Sequence, residues 1–578
     1  MRLLNLSQAL ITKWRVSLAD PDRELATTCL AKACATRHGA LIRIGAARAW
    51  AAWAGERKSW KEMVEAADIG QSLAQEAYDL QIARRHRTSV LGELAKLAGL
   101  AALAYAETGA NEEAALALER GRALILSERL QRNVRAVEAL RTSGHQALVD
   151  EFEAAATTLN QLEWAELEDH WDDPIAHRSI TTIAAARARL EVAREALVPL
   201  APDAAIREVD LRGLLEAARN APLAYLAPTP LGAVIVLVST HGTVRARVVP
   251  DATDQSLKQR FEAYLRAYQL APRTDWAIQV YSMGRWLWDE FMEPVLDLAE
   301  GDRSLSLVPC GLLGLLPLGA AWKYDPSSPS GRTYAIDRVS ISYSPNARTL
   351  PDTSSKAIQA ADSLLVVKEP SPVSLPALPH ATAEAEVVMR EFGSDRITLL
   401  PGESATRQAV LAGIENHDVI HLACHGRTDL SDTMSSGLLL ANDDWLELRD
   451  LLTLPLARAR LAVLSACETG FIGRDLPDEV IGLSSGLQQV GVAGIICSLW
   501  PVPDISTMAL MAKFYTLWRG AGVRPAEALR TAQRWLRDSS NADLRSAFPD
   551  TAAFQEPSIP SDARPLWQAS KRFESPRY

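Results

Sequence analysis

The sequences DVIHLACHG at residues 418–426 and LAVLSACETG at residues 461–470 follow one pattern. Each is a short apolar run that reaches a histidine or cysteine and then a glycine. Short apolar runs bounded by turn residues are typical of buried strands, and parallel sheets covered by helices contain such strands. Reactive side chains in these sheets lie at the carboxyl ends of the strands. The two stretches therefore predict a site that contains His425 and Cys467.

His425 and Cys467 have the chemistry of a general base and a nucleophile. A thiol attacks a carbonyl carbon as its thiolate, and a neighbouring imidazole can remove the proton. Gly426 and Gly470 would let a substrate carbonyl come close and would free backbone N–H groups to hold an oxyanion. If the two strands are adjacent and parallel, the two side chains meet.

The remaining chain consists of a helical front followed by an α/β region. Residues 24–130 are rich in Ala, Leu, Glu and Arg, which favour helices. Residues 44–55 (IGAARAWAAWAG) and 98–109 (AGLAALAYAETG) resemble each other, and an amphipathic helix follows each. This arrangement predicts stacked helix hairpins. An irregular helical bundle remains the alternative, because the two segments are 54 residues apart and strict tetratricopeptide (TPR) repeats are ~34 residues long.

From Pro222 onward, apolar strands alternate with helices, which predicts a parallel sheet covered on both faces. Residues 350–378 are rich in Pro and Ser and are expected to join two halves of this region. Strands are expected near residues 233–239, 245–249, 304–308, 339–343, 363–367, 396–400, 418–424, 460–465 and 492–499, and helices near 255–270, 276–298, 382–392, 405–415, 479–490, 507–519 and 526–537.

Several motifs, in order along the chain, resemble those of CHAT proteins, in which a caspase-like peptidase domain of the caspase–separase clan accompanies TPR repeats. They are HLACHG (421–426), SGL (436–438), LSACETG (464–470), DEVIGL (478–483) and SLWPV (498–502) with Asp504. LVPCG (307–311) and LPL (316–318) look like the first, non-catalytic half of that family. The resemblance covers residues 206–578.

The resemblance implies a caspase-like α/β fold, with a parallel sheet flanked by helices and a preceding non-catalytic half, behind an all-α TPR-like N-terminal region. It implies that His425 is the general base, that Cys467 is the nucleophile and that the backbone N–H groups of Gly426 and Cys467 form the oxyanion hole. Neither a metal nor a cofactor is expected. The implied domains are TPR-like helical repeats (1–145), a helical linker (146–205), the non-catalytic first half (206–350) and the catalytic half (351–578).

One departure from the family concerns the C-terminus. The family's last strand usually follows a Pro-aromatic motif, whereas this sequence ends in SPRY at residues 575–578, where that strand should begin. We therefore expect the strand to be missing or the chain to be truncated. The start at Met1 also looks abrupt for a repeat array.

Other interpretations of the same residues remain open. Cys467 could be a small buried hydrophobic residue, which is also our interpretation of Cys424 and Cys497. A metal site at His421, Cys424 and His425 is disfavoured, because four residues of a strand span ~13 Å; His421 is expected in the core or supporting the site. Residues 482–486 (GLSSG) match the nucleophile elbow of α/β-hydrolases, but a polar turn precedes them and no histidine follows His425.

The acidic residues near the predicted mouth bear on substrate preference. They are Asp429, Glu468, Asp478, Glu479 and Asp504. An acidic pocket favours a basic residue before the scissile bond. The alternative is that these carboxylates are solvated or cap helices.

Composition limits the function classes. The net charge of −10 argues against a nucleic-acid or membrane-surface binder, which usually carries a basic excess. The six cysteines are scattered and form no CxxC pair, which suits a reducing cytoplasm. The first residues, MRLLNL, are too short and too polar a stretch for the core of a signal sequence, so none is expected there. Prolines interrupt the most apolar stretch, residues 304–322, which we interpret as buried core.

We therefore expect a cytoplasmic cysteine endopeptidase that cleaves a protein substrate. It is expected to stay latent until a protein activator binds the helical front, and analogy with the family suggests a role in bacterial defence. The alternative is a non-catalytic scaffold or a regulatory subunit with the same fold.

Overall fold

The computed structural model describes most of the chain. The described residues are 2–36, 40–80, 84–122, 145–152, 210–270, 273–328, 330–351, 361–429, 433–452, 458–466, 482–500, 502–549 and 554–555, with isolated positions between 154 and 196 and at 454, 456 and 551.

Six helices form the front of the molecule. They are α1 (Arg2–Ser17), α2 (Asp20–Cys34), α3 (Ala40–Glu56), α4 (Trp60–Leu80), α5 (Arg84–Glu107) and α6 (Asn111–Arg120). Each helix packs against the next along the chain. The two similar segments form the C-terminal parts of α3 and α5, and a short turn connects each of these helices to its partner, α4 or α6. No helix in the described residues is both long and apolar enough to cross a membrane.

The first sheet of the α/β region is mixed. Its strands β1 (Leu223–Thr229), β2 (Gly232–Val238), β3 (Val244–Val249), β4 (Ser304–Pro309) and β7 (Ser340–Tyr343) lie in the order β3-β2-β1-β4-β7, and β5 (Trp322–Tyr324) pairs with β6 (Arg332–Tyr334). The expectation of a purely parallel sheet is wrong here, since β1, β2 and β3 are antiparallel. Residues 230–231 connect β1 to β2, and so short a loop joins only antiparallel strands.

Helices cover both faces of this sheet. They are α7 (Leu211–Ala217), α8 (Asp254–Leu270), α9 (Arg273–Leu287), a π-helical turn (Trp288–Met292), α10 (Glu293–Leu298) and α11 (Ala335–Arg338). Side chains alternate along β1, so Tyr225 and Ala227 pack in one core with the helical front. Ala224 and Leu226 pack with α8, α9 and α10 on the opposite face. The helical front is therefore a layer of the same hydrophobic core as the first sheet.

The second sheet is parallel throughout its five strands, in the order β15-β14-β10-β8-β9. They are β8 (Leu364–Lys368), β9 (Ile397–Pro401), β10 (Val419–Ala423), β14 (Leu461–Ser465) and β15 (Gly494–Ile496). A small antiparallel sheet of β11 (Gly426–Arg427), β12 (Gly437–Leu439) and β13 (Trp445–Glu447) follows β10.

Two cores on opposite faces hold the second sheet to its helices. The helices are α12 (Ala381–Arg390), α13 (Arg407–Asn416), α14 (Leu448–Leu451), α15 (Leu483–Gln489), α16 (Asp504–Tyr515) with a π-helical turn (Thr516–Gly520), α17 (Pro525–Asp538) and α18 (Asn541–Ala547). The expected fold class, a helical front before an α/β region with a parallel sheet flanked by helices, is confirmed.

The two α/β halves meet at a cluster of charged side chains. Asp337, on α11, accepts hydrogen bonds from Arg534 and Arg537 of α17 at 2.9 to 3.0 Å. Arg530 of the same helix donates to the carbonyls of Ile336 and Asp337. These bonds fix the helix that follows the second sheet to the first half of the α/β region.

Candidate active site

The two strands that precede His425 and Cys467 are neighbours. β10 and β14 are parallel, and Ala423 pairs with Ser465. This pair has the 42-residue offset that separates His425 from Cys467 in the sequence. Because the two strands run parallel and in register, both end at the same edge of the sheet, and adjacent strands lie ~4.8 Å apart. Cys467 itself, with Glu468, Asp478 and Glu479, lies outside the described residues.

His425 is half-buried, and the position of its proton follows from one hydrogen bond. Its Nε2 atom lies 2.7 Å from the carbonyl oxygen of Pro376. A carbonyl oxygen only accepts hydrogen bonds, so Nε2 carries the proton and donates. The basic nitrogen of the neutral ring is then Nδ1. The imidazole is therefore oriented by one nitrogen and can take a proton on the other.

The glycine after His425 presents its N–H group away from the small sheet. Leu439 N–H donates to the His425 carbonyl at 2.8 Å, and Gly426 pairs with Leu438. Such a pair is of the non-hydrogen-bonded type, in which neither N–H group points across the ladder. The Gly426 N–H group is thus not used between β11 and β12, as the predicted role in an oxyanion hole requires.

A buried polar cluster lies deeper on β10. His421 is fully buried; its Nδ1 lies 3.2 Å from the Tyr515 hydroxyl and its Nε2 lies 3.1 Å from a carboxylate oxygen of Glu384. Burial, and then the charge of Glu384, raises the pKa of Tyr515 well above its usual value. His421 therefore lies in the core between β10, α12 and α16, which is one of the two places expected for it; a role in supporting the site stays a prediction.

Cys424 and Cys497, which lie near the strand ends, do not have the properties of a nucleophilic cysteine. Cys424 is 2% exposed and packs in the core on the sheet face opposite His421, so these two side chains do not converge on a metal. Burial raises the pKa of Cys497 to about 11. Gly482 of the GLSSG motif caps the N-terminus of α15, and the residues directly before it lie outside the described residues.

Two of the predicted acidic residues lie in the described part. Both carboxylate oxygens of Asp504 accept backbone hydrogen bonds, one from His380 N–H at 3.1 Å and one from Ile505 N–H at 2.9 Å. Asp429 is half-buried, and its own N–H donates to the Ser436 hydroxyl at 3.0 Å. Asp504 thus matches the alternative interpretation, in which the carboxylate caps backbone groups.

Sequence reasoning missed the carbonyl of Pro376. A backbone oxygen has no residue-type signature, and the only signal was the richness of residues 350–378 in Pro and Ser. Residues 369–380, which we call the 369–380 loop, connect β8 to α12 and bring this carbonyl to His425.

Comparison with known proteins gives one family. The model of the CHAT domain family matches residues 282–576. A solved structure, the Saccharomyces cerevisiae separase–securin complex, is similar at 10% sequence identity and a TM-score of 0.38, with 92% of this chain and 48% of that chain covered. The chain therefore spans about half of the length of that structure's chain. None of the curated proteins matches.

Proposed function

Because the chain belongs to the CHAT domain family, we propose that it is a cysteine endopeptidase with Cys467 as nucleophile and His425 as general base. One observation carries the proposal. β10 and β14 are adjacent and in register at Ala423 and Ser465, and His425 stands two residues beyond this pair with Nε2 on the Pro376 carbonyl. Cys467 also follows its strand by two residues.

The proposed reaction uses only groups of the chain and water. Nδ1 of His425 takes the proton of the Cys467 thiol, and the thiolate attacks the carbonyl carbon of the peptide bond. The N–H groups of Gly426 and Cys467 stabilise the oxyanion. The C–N bond breaks, the imidazolium gives its proton to the leaving amine, and a thioester remains. Water, deprotonated by the same imidazole, hydrolyses the thioester and restores the thiol.

We further propose that a protein partner activates the peptidase by binding the helical front, in a cytoplasmic role in bacterial defence. Stacked helices are common surfaces for protein partners. The contacts of α5 and α6 with β1, β2 and β3 give a bound partner a physical route to the first sheet.

The proposed substrate is a protein cleaved after Arg or Lys. Asp429, Glu468, Asp478 and Glu479 supply the acidic character of this proposal, and Asp504 contributes less, because its carboxylate is already hydrogen-bonded to backbone. Cleavage only after acidic residues would refute this preference.

Alkylation of thiols at pH 6 tests the dyad. An imidazole-activated thiol reacts with iodoacetamide at this pH, whereas an ordinary thiol is almost wholly protonated. We expect Cys467 to react at least tenfold faster than Cys497, whose raised pKa makes it an internal standard. His425→Ala should remove the difference, and His241→Ala, in the loop after β2, is the matched control. Equal rates at Cys467 in the wild type and His425→Ala would favour a non-catalytic scaffold.

A further inference from the structure

The 369–380 loop is held by carboxylates on both sides of the Pro376 carbonyl. Before it, Ser374 N–H donates to Asp443 at 2.7 Å. After it, Leu378 N–H donates to Glu369 at 3.1 Å and His380 N–H donates to Asp504 at 3.1 Å. A hydrogen bond to an ionised acceptor is about twice as strong as a neutral one.

The carboxylates that hold the loop after Pro376 lie next to the second sheet and its helices. Glu369 directly follows β8, and its N–H donates to the Ala423 carbonyl at the end of β10. Asp504 is the first residue of α16, whose Tyr515 contacts His421. Through these hydrogen bonds, both carboxylates connect the second sheet and its helices to a loop whose residues 374–377 are exposed.

The backbone of Glu369 supports a functional constraint. Its φ is +42°, in the left-handed region that a residue with a side chain rarely adopts. Such a conformation persists only where surrounding contacts fix it. Here the Glu369 N–H group donates to β10, and the Glu369 carboxylate accepts a hydrogen bond from Leu378 N–H. The strained residue therefore connects the start of the loop to its end.

We propose that Glu369 and Asp504 are positioning residues of the peptidase site. By fixing Leu378 and His380, they place the Pro376 carbonyl on Nε2 of His425, and this bond leaves Nδ1 as the nitrogen that takes the proton of the thiol. The inference rests on the proposed function for its role in catalysis, and on hydrogen bonds between described residues for its geometry. It gives Asp504 a role in orienting the base, in addition to its lesser contribution to the acidic substrate preference.

Pairs of variants distinguish the loss of the hydrogen-bond acceptor from the loss of the negative charge. Asp504→Ala and Glu369→Ala remove the acceptor for His380 and Leu378, whereas Asp504→Asn and Glu369→Gln keep an oxygen that can accept the same bond. Asp254→Ala is the matched control, because Asp254 is the first residue of α8, as Asp504 is of α16, and lies on the first half.

The first readout needs no turnover. In a ¹⁵N-labelled full-length chain, the Nε2–H proton of His425 should be protected from exchange with water and visible by NMR, and His425→Gln identifies its signal. We expect the signal in the wild type, the control and the two conservative variants. Both alanine variants should lose it. Its persistence in both alanine variants would overturn the inference.

The second readout links the geometry to the thiol. Alkylation of Cys467 at pH 6 should slow about tenfold in each alanine variant, about 1.4 kcal/mol, and recover in the conservative variants. Wild-type rates in both alanine variants, beside a slow His425→Ala, would overturn the positioning role and leave the proposed function standing. A His425→Ala rate equal to the wild-type rate would overturn both.

Discussion

Glu119 should be the residue whose loss most clearly separates the helical front from the first sheet. It lies near the end of α6, is fully buried, and accepts hydrogen bonds from three donors of the α/β region. The donors are the Tyr225 hydroxyl at 2.7 Å, Ala347 N–H at 3.0 Å and Arg348 N–H at 3.2 Å. Burial, and then this carboxylate, raises the pKa of Tyr225 well above its usual value.

The magnitude follows from the donors left without a partner. A buried donor that loses its acceptor costs ~1–3 kcal/mol, so the loss of the acceptor for three donors in Glu119→Ala should destabilise the junction by about 3–9 kcal/mol. Glu119→Gln keeps one oxygen for Tyr225 and Ala347 but turns an amide nitrogen toward Arg348 N–H. It should cost only ~1–3 kcal/mol.

Backbone amide hydrogen exchange of residues 346–349 measures this junction locally. At ~1.4 kcal/mol per tenfold, exchange should accelerate about 10²- to 10⁶-fold in Glu119→Ala and about 10- to 10²-fold in Glu119→Gln. Glu112→Ala, at an exposed position in the first turn of α6, is the matched control and should leave exchange unchanged. Unchanged protection of Ala347 and Arg348 in Glu119→Ala would refute the view that the front and the first sheet share one core.

Two further perturbations test the surroundings of the site. Gly437→Ala should weaken the small sheet beside His425 and slow Cys467 alkylation several-fold, because its Cβ would lie 2.7 Å from the backbone oxygen of Leu446; a wild-type rate would contradict this. Asp418 is the second case: burial alone would raise its pKa, but hydrogen bonds from Ser363 and Arg458 lower it below its usual value. The stabilisation of the fold by the ionised Asp418 carboxylate is therefore complete above the unfolded pKa of ~3.9 and is lost as the pH falls through the lower folded pKa. The difference in melting temperature between the wild type and Asp418→Asn should shrink below about pH 4, and a difference that grows there would contradict the assignment.

Much of the second sheet could be predicted from the sequence, because its strands are short apolar runs with turn residues at their ends. β8, β9, β10 and β14 lie within two residues of their expected positions, and α17 begins at Pro525. β1 was missed, since Pro222 and Pro228 interrupt the strand pattern at Leu223–Thr229 and its pairing with β2 and β4 supplies the missing stabilisation. Local propensity does not contain such tertiary pairing.

The site was only partly predictable for a similar reason. His425 and Gly426 are recognisable by residue type, and the structure meets the condition that the sequence left open, since β10 and β14 are adjacent and parallel. The Pro376 carbonyl, the anchoring role of Glu369 and the buried contacts of Glu119 arise from segments far apart in the sequence. A carboxylate on an amphipathic helix or in a loop looks solvent-exposed until its partners are known.

The helical front has a structural role whatever it binds. Its core continues through β1 and β2, and Glu119 contacts residues 347–348, close before the second half begins. A further connection, between the two α/β halves, is made by Asp337, which accepts hydrogen bonds from Arg534 and Arg537 of α17. A partner that displaced α6 would therefore disturb the hydrogen bonds of Glu119 to residues 347–348. We propose this disturbance as the first step of activation.

The central claim, hydrolysis of peptide bonds by Cys467 and His425, is tested most directly by mapping protein N-termini in cells by mass spectrometry. Cells would express the wild-type chain, Cys467→Ala or His425→Ala, each together with the genomic neighbours of its gene. We predict new N-termini in the wild type that disappear in both variants, with Arg or Lys before the cut. Identical maps for the wild type and Cys467→Ala would contradict the claim.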